Sequence, residues 1–326
     1  MDNFDGKIAV VTGGGTGMGR ELCLQLVQEG CAVAACDVIM ENLEETKKLC
    51  AEAAPNVKVT LHQCDVSSEE DILRFRDEVA AEHGDKLNLL FNNAGIGGSF
   101  SMVDEDTRPQ WEKTFNVCWY GVYYSCRAFM NMLVNADEAH IINTSSVNGF
   151  WASLGPNTPH TAYAAAKFAV KGFSEALITD LRLHAPHVGV SVVMPGHIGT
   201  SIAINSGKVL SGKDASELNE DDIKAMRERM MKTGGDLAEA VMNLSDDQIR
   251  QVMHQRGVDF RDNAPTTAGQ ASKIILDAVK AGKWRILVGE DAVRLDARVR
   301  NDPESAYEID FAQAVQEGGD LNELIN

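Results

Sequence analysis

Apolar positions along the chain follow two rhythms that alternate. A short apolar run rich in β-branched residues at 7–12 suits a strand buried on both faces, and runs at 33–37, 87–91, 140–144 and 190–194 read as further strands. A run at 57–64 places Val57, Val59 and Leu61 at every second position, and 286–288 closes the series, so seven strands are expected. Between the strands apolar residues recur at helical spacing, as in Leu22, Leu26 and Val27 after the first strand. Longer helices are predicted over 109–133, from about Tyr163 to 184, and over 268–281. Strands and helices taking turns imply an α/β fold with a doubly wound parallel sheet. Ser67 and Glu70 predict a capping box at the start of the third helix.

The rhythm breaks once. After the sixth strand, 201–265 is polar, carries methionines and reads as helical, notably over 221–231 and 236–242. Ligands of doubly wound sheets bind beyond the carboxyl ends of the strands, so an insertion here is expected to cover a substrate. One domain is predicted over 1–326, with 201–265 as a helical lid within it. An acid-rich C-terminal extension over 292–326 is expected to pack on a neighbour or stay loose.

The first strand ends in Thr12-Gly13-Gly14-Gly15-Thr16-Gly17-Met18-Gly19, and a helix follows. Backbone N–H groups at such a helix start can face a pyrophosphate. Gly13 is expected to let the chain turn sharply, Gly17 to remove a side chain where phosphates approach, and Gly19 to let helix and strand pack closely. Asp37 ends the second strand about twenty residues past the loop, where a carboxylate binds a ribose 2′-hydroxyl and repels a 2′-phosphate. Val38 follows it and no basic residue lies inside the loop, so NAD is the expected cofactor.

Tyr163 and Lys167 are four apart on one helix face. An adjacent ammonium stabilises a phenolate, so Lys167 is expected to lower the Tyr163 pKa and also to reach a cofactor ribose. Ser146 ends the fifth strand and can hydrogen-bond a substrate oxygen. Tyr163 would then take a proton from an alcohol while hydride leaves its carbon, or give one to a ketone in reverse.

Composition narrows the choice of partners. Lys and Arg number 30 against 48 Asp and Glu, a net charge of −18, which argues against gripping nucleic acid or an anionic membrane. Cys23, Cys31, Cys36, Cys50, Cys64, Cys118 and Cys126 form no Cys-x-x-Cys pair and fall mostly in predicted strands and helices. They are expected to be free thiols in a reducing cytosol, with no disulfide framework and no metal site. The chain enters a strand by Lys7, so no signal peptide is expected, and no apolar run reaches bilayer length. A cytoplasmic protein is the expectation.

Glycine loop, Asp65-Val66, Asn92-Asn93-Ala94-Gly95, the Ser146 strand end, Tyr163-x-x-x-Lys167 and Pro195-Gly196 occur in one order along the chain. In that order they resemble the short-chain dehydrogenase/reductase family, in its compact soluble subgroup with an enlarged substrate lid. The resemblance covers about 4–200 and resumes near 264–290. It implies a Rossmann fold and a catalytic tetrad at Asn116, Ser146, Tyr163 and Lys167. Ser146 is preferred over Ser145 because it directly precedes Val147-Asn148-Gly149. The family role of Asn116 is to distort its helix so that a carbonyl holds a water joined to Lys167, a proton relay. Asp65 and Val66 are implied at the adenine, Asn93, Ala94 and Gly95 at the adenosine ribose and loop floor, and Ile198 and Thr200 at the nicotinamide carboxamide. With Gly13, Gly15, Thr16, Gly17, Met18, Gly19, Asp37, Tyr163 and Lys167 these complete the implied cofactor set. His197 is expected at the pocket rim as a loop residue.

The implied activity is NAD(H)-dependent interconversion of a secondary alcohol and a ketone. Two alternatives are an NADPH-dependent 3-oxoacyl-type reductase and a non-catalytic dinucleotide-binding sensor or assembly protein. Asp37 opposes the first and the intact tetrad the second. Phe150, Trp151 and Leu154, with Met226, Met230 and Met231, would make the pocket apolar if they face it, favouring a hydrophobic substrate. The methionines would otherwise pack the insertion onto the main domain. The stretch from Ser146 to Tyr163 is longer than usual for the family, so 154–159 is expected to bulge. Family members of this kind form homodimers or homotetramers, with the helices around Asn116 and Tyr163 meeting across a twofold axis. Ala164, Ala165, Ala166 and Ala169 would allow close helix approach there or pack on the sheet.

Overall fold

A computed structural model describes residues 1–155, 158–233, 244–311 and 315. Its centre is a seven-stranded sheet in which every pair is parallel. The strands are β1 (Ile8–Thr12), β2 (Ala32–Asp37), β3 (Val59–Gln63), β4 (Leu89–Asn92), β5 (Ala139–Thr144) and β6 (Val188–Pro195), with Arg285–Val288 as the last. Their order in space is β3-β2-β1-β4-β5-β6, followed by the Arg285–Val288 strand. The winding reverses at β1, between β2 and β4, so a crevice opens at the carboxyl ends of β1 and β4.

Both faces of the sheet are covered, which explains the near-continuous apolar runs. Val10 and Ala34 turn to one face, packed by α3 (Glu69–His83), α5 (Gly121–Asn135) and α6 (Thr161–His184) through Phe75, Phe129 and Leu177. Their neighbours Ala9, Val11, Val33 and Ala35 turn to the other. There α1 (Gly17–Gln28), α2 (Met40–Ala53) and the helix Ala268–Lys280 bury Leu22, Leu43 and Ile275. All seven cysteines are free and buried, three of them at 0 % exposure in the second of these cores, so they serve as small apolar side chains.

The helix predicted over 109–133 is α4 (Arg108–Phe115) continuing into α5 through a π-helical turn at Asn116–Tyr120. The capping residue of α3 is Ser68, one later than predicted: it accepts the Asp71 N–H at 3.2 Å. Ser67 instead donates to Asp65 at 2.6 Å.

Beyond β6 the chain makes the short strand β7 (Ile198–Gly199), then α7 (Ile202–Ser211), α8 (Glu220–Thr233) and the helix Asp246–Asp262. Thr266–Thr267 pairs with β7 and returns the chain to the main sheet. The helix expected at 236–242 lies outside the described residues. At the carboxyl end, the helix Glu290–Asn301 packs Ala292 and Leu295 against Val147 and Trp151. Trp151 is fully buried, its Nε1 donates to the Ala306 carbonyl at 2.7 Å, and the Ala152 N–H reaches the Tyr307 hydroxyl at 3.0 Å. The described part of the extension therefore folds back on its own chain, under the segment that follows Ser146. No described helix is long and apolar enough to cross a membrane.

Candidate active site

A cleft of about 890 Å³, open solvent included, runs along the carboxyl ends of β1 to β4. Gly13, with φ +65°, turns the chain out of β1, and a Cβ there would come within 2.8 Å of the Ala94 Cα. Gly15 is bare for a different reason: a Cβ would lie 2.7 Å from the Asp37 Oδ2, which accepts the Gly15 N–H at 3.0 Å. Asp37 thus fixes the loop while it lines the cleft. Burial raises its pKa, opposed by N–H groups of Ile39 and Gly15. Gly17, with φ +54°, makes room for Thr200, whose Cβ would be 2.9 Å from a Cβ at Gly17. Gly19 meets the Gly13 carbonyl and Asn93.

Thr12 braces the opposite wall. Its hydroxyl accepts the N–H groups of Asn93 and Ala94, each at 3.0 Å, and the Asn93 amide donates to the Thr12 carbonyl at 3.1 Å. Asp65 accepts from Lys113 at 2.6 Å. Burial works against its charge, but Lys113 and Ser67 hold the carboxyl below its usual range. Thr16, Met18, Val66, Gly95 and Thr200 also line the cleft. Ile198 does not: its side chain is buried in the core, leaving only main chain to offer.

Ser146 and Tyr163 line a second cavity, which shares Ile202 with this cleft, and Lys167 lies beneath Tyr163. Helix α6 carries Tyr163 and Lys167 one turn apart, with the Lys167 ammonium 5.4 Å from the Tyr163 ring centre. Lys167 is fully withdrawn from solvent and donates to the Thr144 carbonyl at 2.8 Å. Burial pushes its pKa down. The Ser145 hydroxyl donates to the Lys167 carbonyl at 2.7 Å, which commits it to bracing α6, whereas Ser146 lines the cavity. Asn116 begins the π turn, so the helix is distorted at that residue.

The expected lowering of the Tyr163 pKa by Lys167 is absent. Burial pushes the phenol above its ordinary value, only partly opposed by the Ser146 hydroxyl. The loss of solvent outweighs an ammonium that lies over the ring and is itself destabilised by burial.

The second cavity, about 1060 Å³ including open solvent, lies between the Gly97–Phe100 loop, Ser146, the start of α6 and the lid. Phe100, Leu154, Ile202, Leu210 and Phe260 give it apolar walls. Phe150 and Trp151, expected here, turn instead into the small core beneath the C-terminal segment. Met226 packs with Ile223 and Ile249 inside the lid, and Met231 is 58 % exposed, so neither lines the cavity. The Met230 side chain lies outside what is described, as do Pro156 and Asn157 of the expected bulge. His197 is not at the rim: it is 2 % exposed and hydrogen-bonded to the Phe260 carbonyl at 2.7 Å. Its N–H donates to Asp291 at 2.6 Å. It therefore pins the lid helix to the β6 end.

Helix α7 is fastened over both spaces. The Asn205 amide donates to the Thr16 hydroxyl at 3.0 Å, and the Gly97 N–H donates to Ser206 at 2.7 Å. Thr12, Lys113, His160, Asn205 and Ser206 were not anticipated. Thr12 and His160 had a local signal, one residue before the glycine loop and three before Tyr163. Asn205 and Ser206 had none, because their partners lie 189 and 109 residues away.

Comparison with known proteins agrees with this geometry. The family profile described as short chain dehydrogenase matches residues 7–210. The SadH protein of Mycobacterium tuberculosis is 36 % identical over 220 residues, 68 % of this chain and 76 % of SadH. A crystal structure of a short chain dehydrogenase/reductase from Burkholderia phymatum in complex with NAD superposes with a TM-score of 0.70 at 27 % identity. It covers 93 % of this chain and 95 % of that one. A metagenomic short-chain oxidoreductase in complex with NADP has a TM-score of 0.52 at 31 % identity, over 59 % of this chain and 83 % of that one.

Proposed function

The chain belongs to the short-chain dehydrogenase/reductase family, and from that premise we propose that it is an NAD(H)-dependent oxidoreductase interconverting a secondary alcohol and a ketone. The observation that carries the reading is that Ser146 and Tyr163 line a mostly apolar cavity that adjoins a glycine-walled cleft through Ile202. The cleft fits a dinucleotide. Side chains at Gly13 and Gly17 would fill it or displace its walls, and α1 begins at the glycine loop. Bound NAD would supply the hydride acceptor for the alcohol carbon, or as NADH the hydride donor for the ketone.

Every other task falls to this chain. Asp37 would take the adenosine ribose and disfavour a 2′-phosphate; the solved relatives include one with NAD and one with NADP, so this choice rests on local residues. Asp65 and Val66 would border the adenine, and Thr200 the carboxamide. Ser146 would donate to the substrate oxygen and orient it. With its phenol held protonated, Tyr163 is in the form that gives a proton to a ketone oxygen. In the opposite direction its phenolate would take the hydroxyl proton. Lys167 would hold the ribose, and the π turn at Asn116 would connect it to solvent. The mostly apolar cavity suits a hydrophobic substrate body.

A homo-oligomer is part of the reading. Phe115, Trp119, Tyr120, Tyr123, Tyr124 and Phe173 form a linked aromatic face on the α4–α5 helix and α6, with Tyr120 38 % exposed. Such a face suits a second copy of this chain.

Tyr163→Phe tests the catalytic assignment. Turnover of alcohols and ketones should fall by roughly 10²–10⁴-fold, while NADH still binds in a fluorescence titration. Turnover within a few-fold of wild type would remove Tyr163 from the proposed role.

A further inference from the structure

His160 is the first residue before α6 and lines the substrate cavity beside Tyr163, ring centres 4.8 Å apart. Its Nδ1 lies 3.1 Å from the Gly98 carbonyl. A carbonyl can only accept, so Nδ1 carries the hydrogen. Burial pushes the imidazole down to about 4, although the Gly98 contact pulls the other way. The ring is therefore neutral at physiological pH, and Nε2 presents a lone pair and no hydrogen. Among the described residues no group donates to Nε2.

The other polar groups of the cavity sharpen the point. Asn148 commits both amide hydrogens to the carbonyls of Trp151 and Ser153, at 3.0 and 2.8 Å, so it can offer a ligand only its oxygen. Ser206 already accepts from Gly97 and donates to the Ile202 carbonyl at 2.6 Å. Among the described residues the lining holds no Lys or Arg. Ser99, at the exposed mouth, adds a hydroxyl that can donate or accept. Deeper in, and beyond the reacting pair, the described lining is apolar with spare acceptors and no cation. It matches a neutral molecule with a hydrogen to donate, and it disfavours carboxylates and phosphates.

We propose that the substrate carries a second hydroxyl near the reacting carbon, as a diol or hydroxy ketone, and that His160 Nε2 recognises it. This rests on the alcohol–ketone reading above and narrows its substrate class. With the two rings neighbouring one another, the proposal puts the second oxygen on a carbon adjacent to the reacting one, or one further along. A site built to pair a substrate hydroxyl discriminates against the analogue lacking it, because its own buried acceptor is then left without a partner. The Gly98 contact keeps His160 in the required tautomer, and the Ser206 contact with Gly97 ties that loop to the lid.

The test compares NAD-linked oxidation of a vicinal cyclohexanediol, its monomethyl ether and cyclohexanol by the full chain. The diol should exceed cyclohexanol in kcat/KM by at least about tenfold, mostly through KM. The ether keeps the oxygen but has no hydrogen to donate, so it should fall to the cyclohexanol level. In His160→Phe, checked for NADH binding, the diol-to-alcohol ratio should approach one, and His160→Gln should recover part of it. Equal rates for diol, ether and cyclohexanol, all lost in Tyr163→Phe, would overturn the His160 proposal and leave the alcohol–ketone reading standing. An unchanged ratio in a His160→Phe protein that binds NADH would overturn it too. Absence of Tyr163-dependent turnover on any of the three would overturn the diol assignment. If a wider panel of secondary alcohols and ketones were equally silent, the parent reading would fall with it.

Discussion

Asp37→Asn separates the two jobs assigned to Asp37. The substitution keeps the side-chain shape but removes the charge and one acceptor. At present the carboxylate accepts the Gly15 N–H at 3.0 Å and the Ile39 N–H at 3.2 Å. An amide oxygen can serve only one of them well, so one part-buried donor loses its partner at a cost of about 1–3 kcal/mol. That should appear as a lower unfolding temperature without cofactor. The charge effect is separate. A carboxylate about 4 Å from a phosphate at an effective dielectric near 20 is disfavoured by about 4 kcal/mol per unit charge. Asp37 is only partly buried, and screening at such a site reduces this to about 1.5–3 kcal/mol. The ratio of kcat/KM for NADH over NADPH should therefore fall roughly 10- to 100-fold. Steady-state kinetics with both cofactors measure it directly. A ratio within about threefold of wild type would refute the electrostatic argument, even if the protein were less stable.

Three further outcomes are expected. An ultraviolet difference titration of the ligand-free protein against Tyr163→Phe should show no phenolate from Tyr163 below about pH 10, since burial favours the neutral phenol. Ionisation near neutral pH would mean that Lys167 outweighs burial after all. Trp151→Ala should cost about 3–5 kcal/mol in denaturant unfolding, through the cavity and the lost Ala306 contact. A change below about 1 kcal/mol would show that the C-terminal segment contributes little. Sedimentation should find the wild-type chain as a dimer or larger species and Tyr120→Glu shifted towards monomer, because a charge would be buried in the aromatic face. A monomeric wild type would end the oligomer proposal.

The pattern of apolar positions along this chain determined the sheet, because strands buried on both faces leave long apolar runs that few other structures require. Chain order also located the glycine loop, Asp37, Ser146, Tyr163 and Lys167, since each lies at or just beyond a strand end or on one helix face. These are local properties: a turn, a terminus, a four-residue spacing. What the sequence did not carry was which side chains reach across the fold. Trp151 follows the Ser146 segment yet turns to a C-terminal stretch 155 residues away, and Met226 fills its own lid. Asn205 and Ser206 close α7 over the two cavities through partners in other elements. The direction of the Tyr163 shift was also a tertiary matter. Spacing puts an ammonium near the phenol, but only packing sets how much water either group loses, and here desolvation prevails.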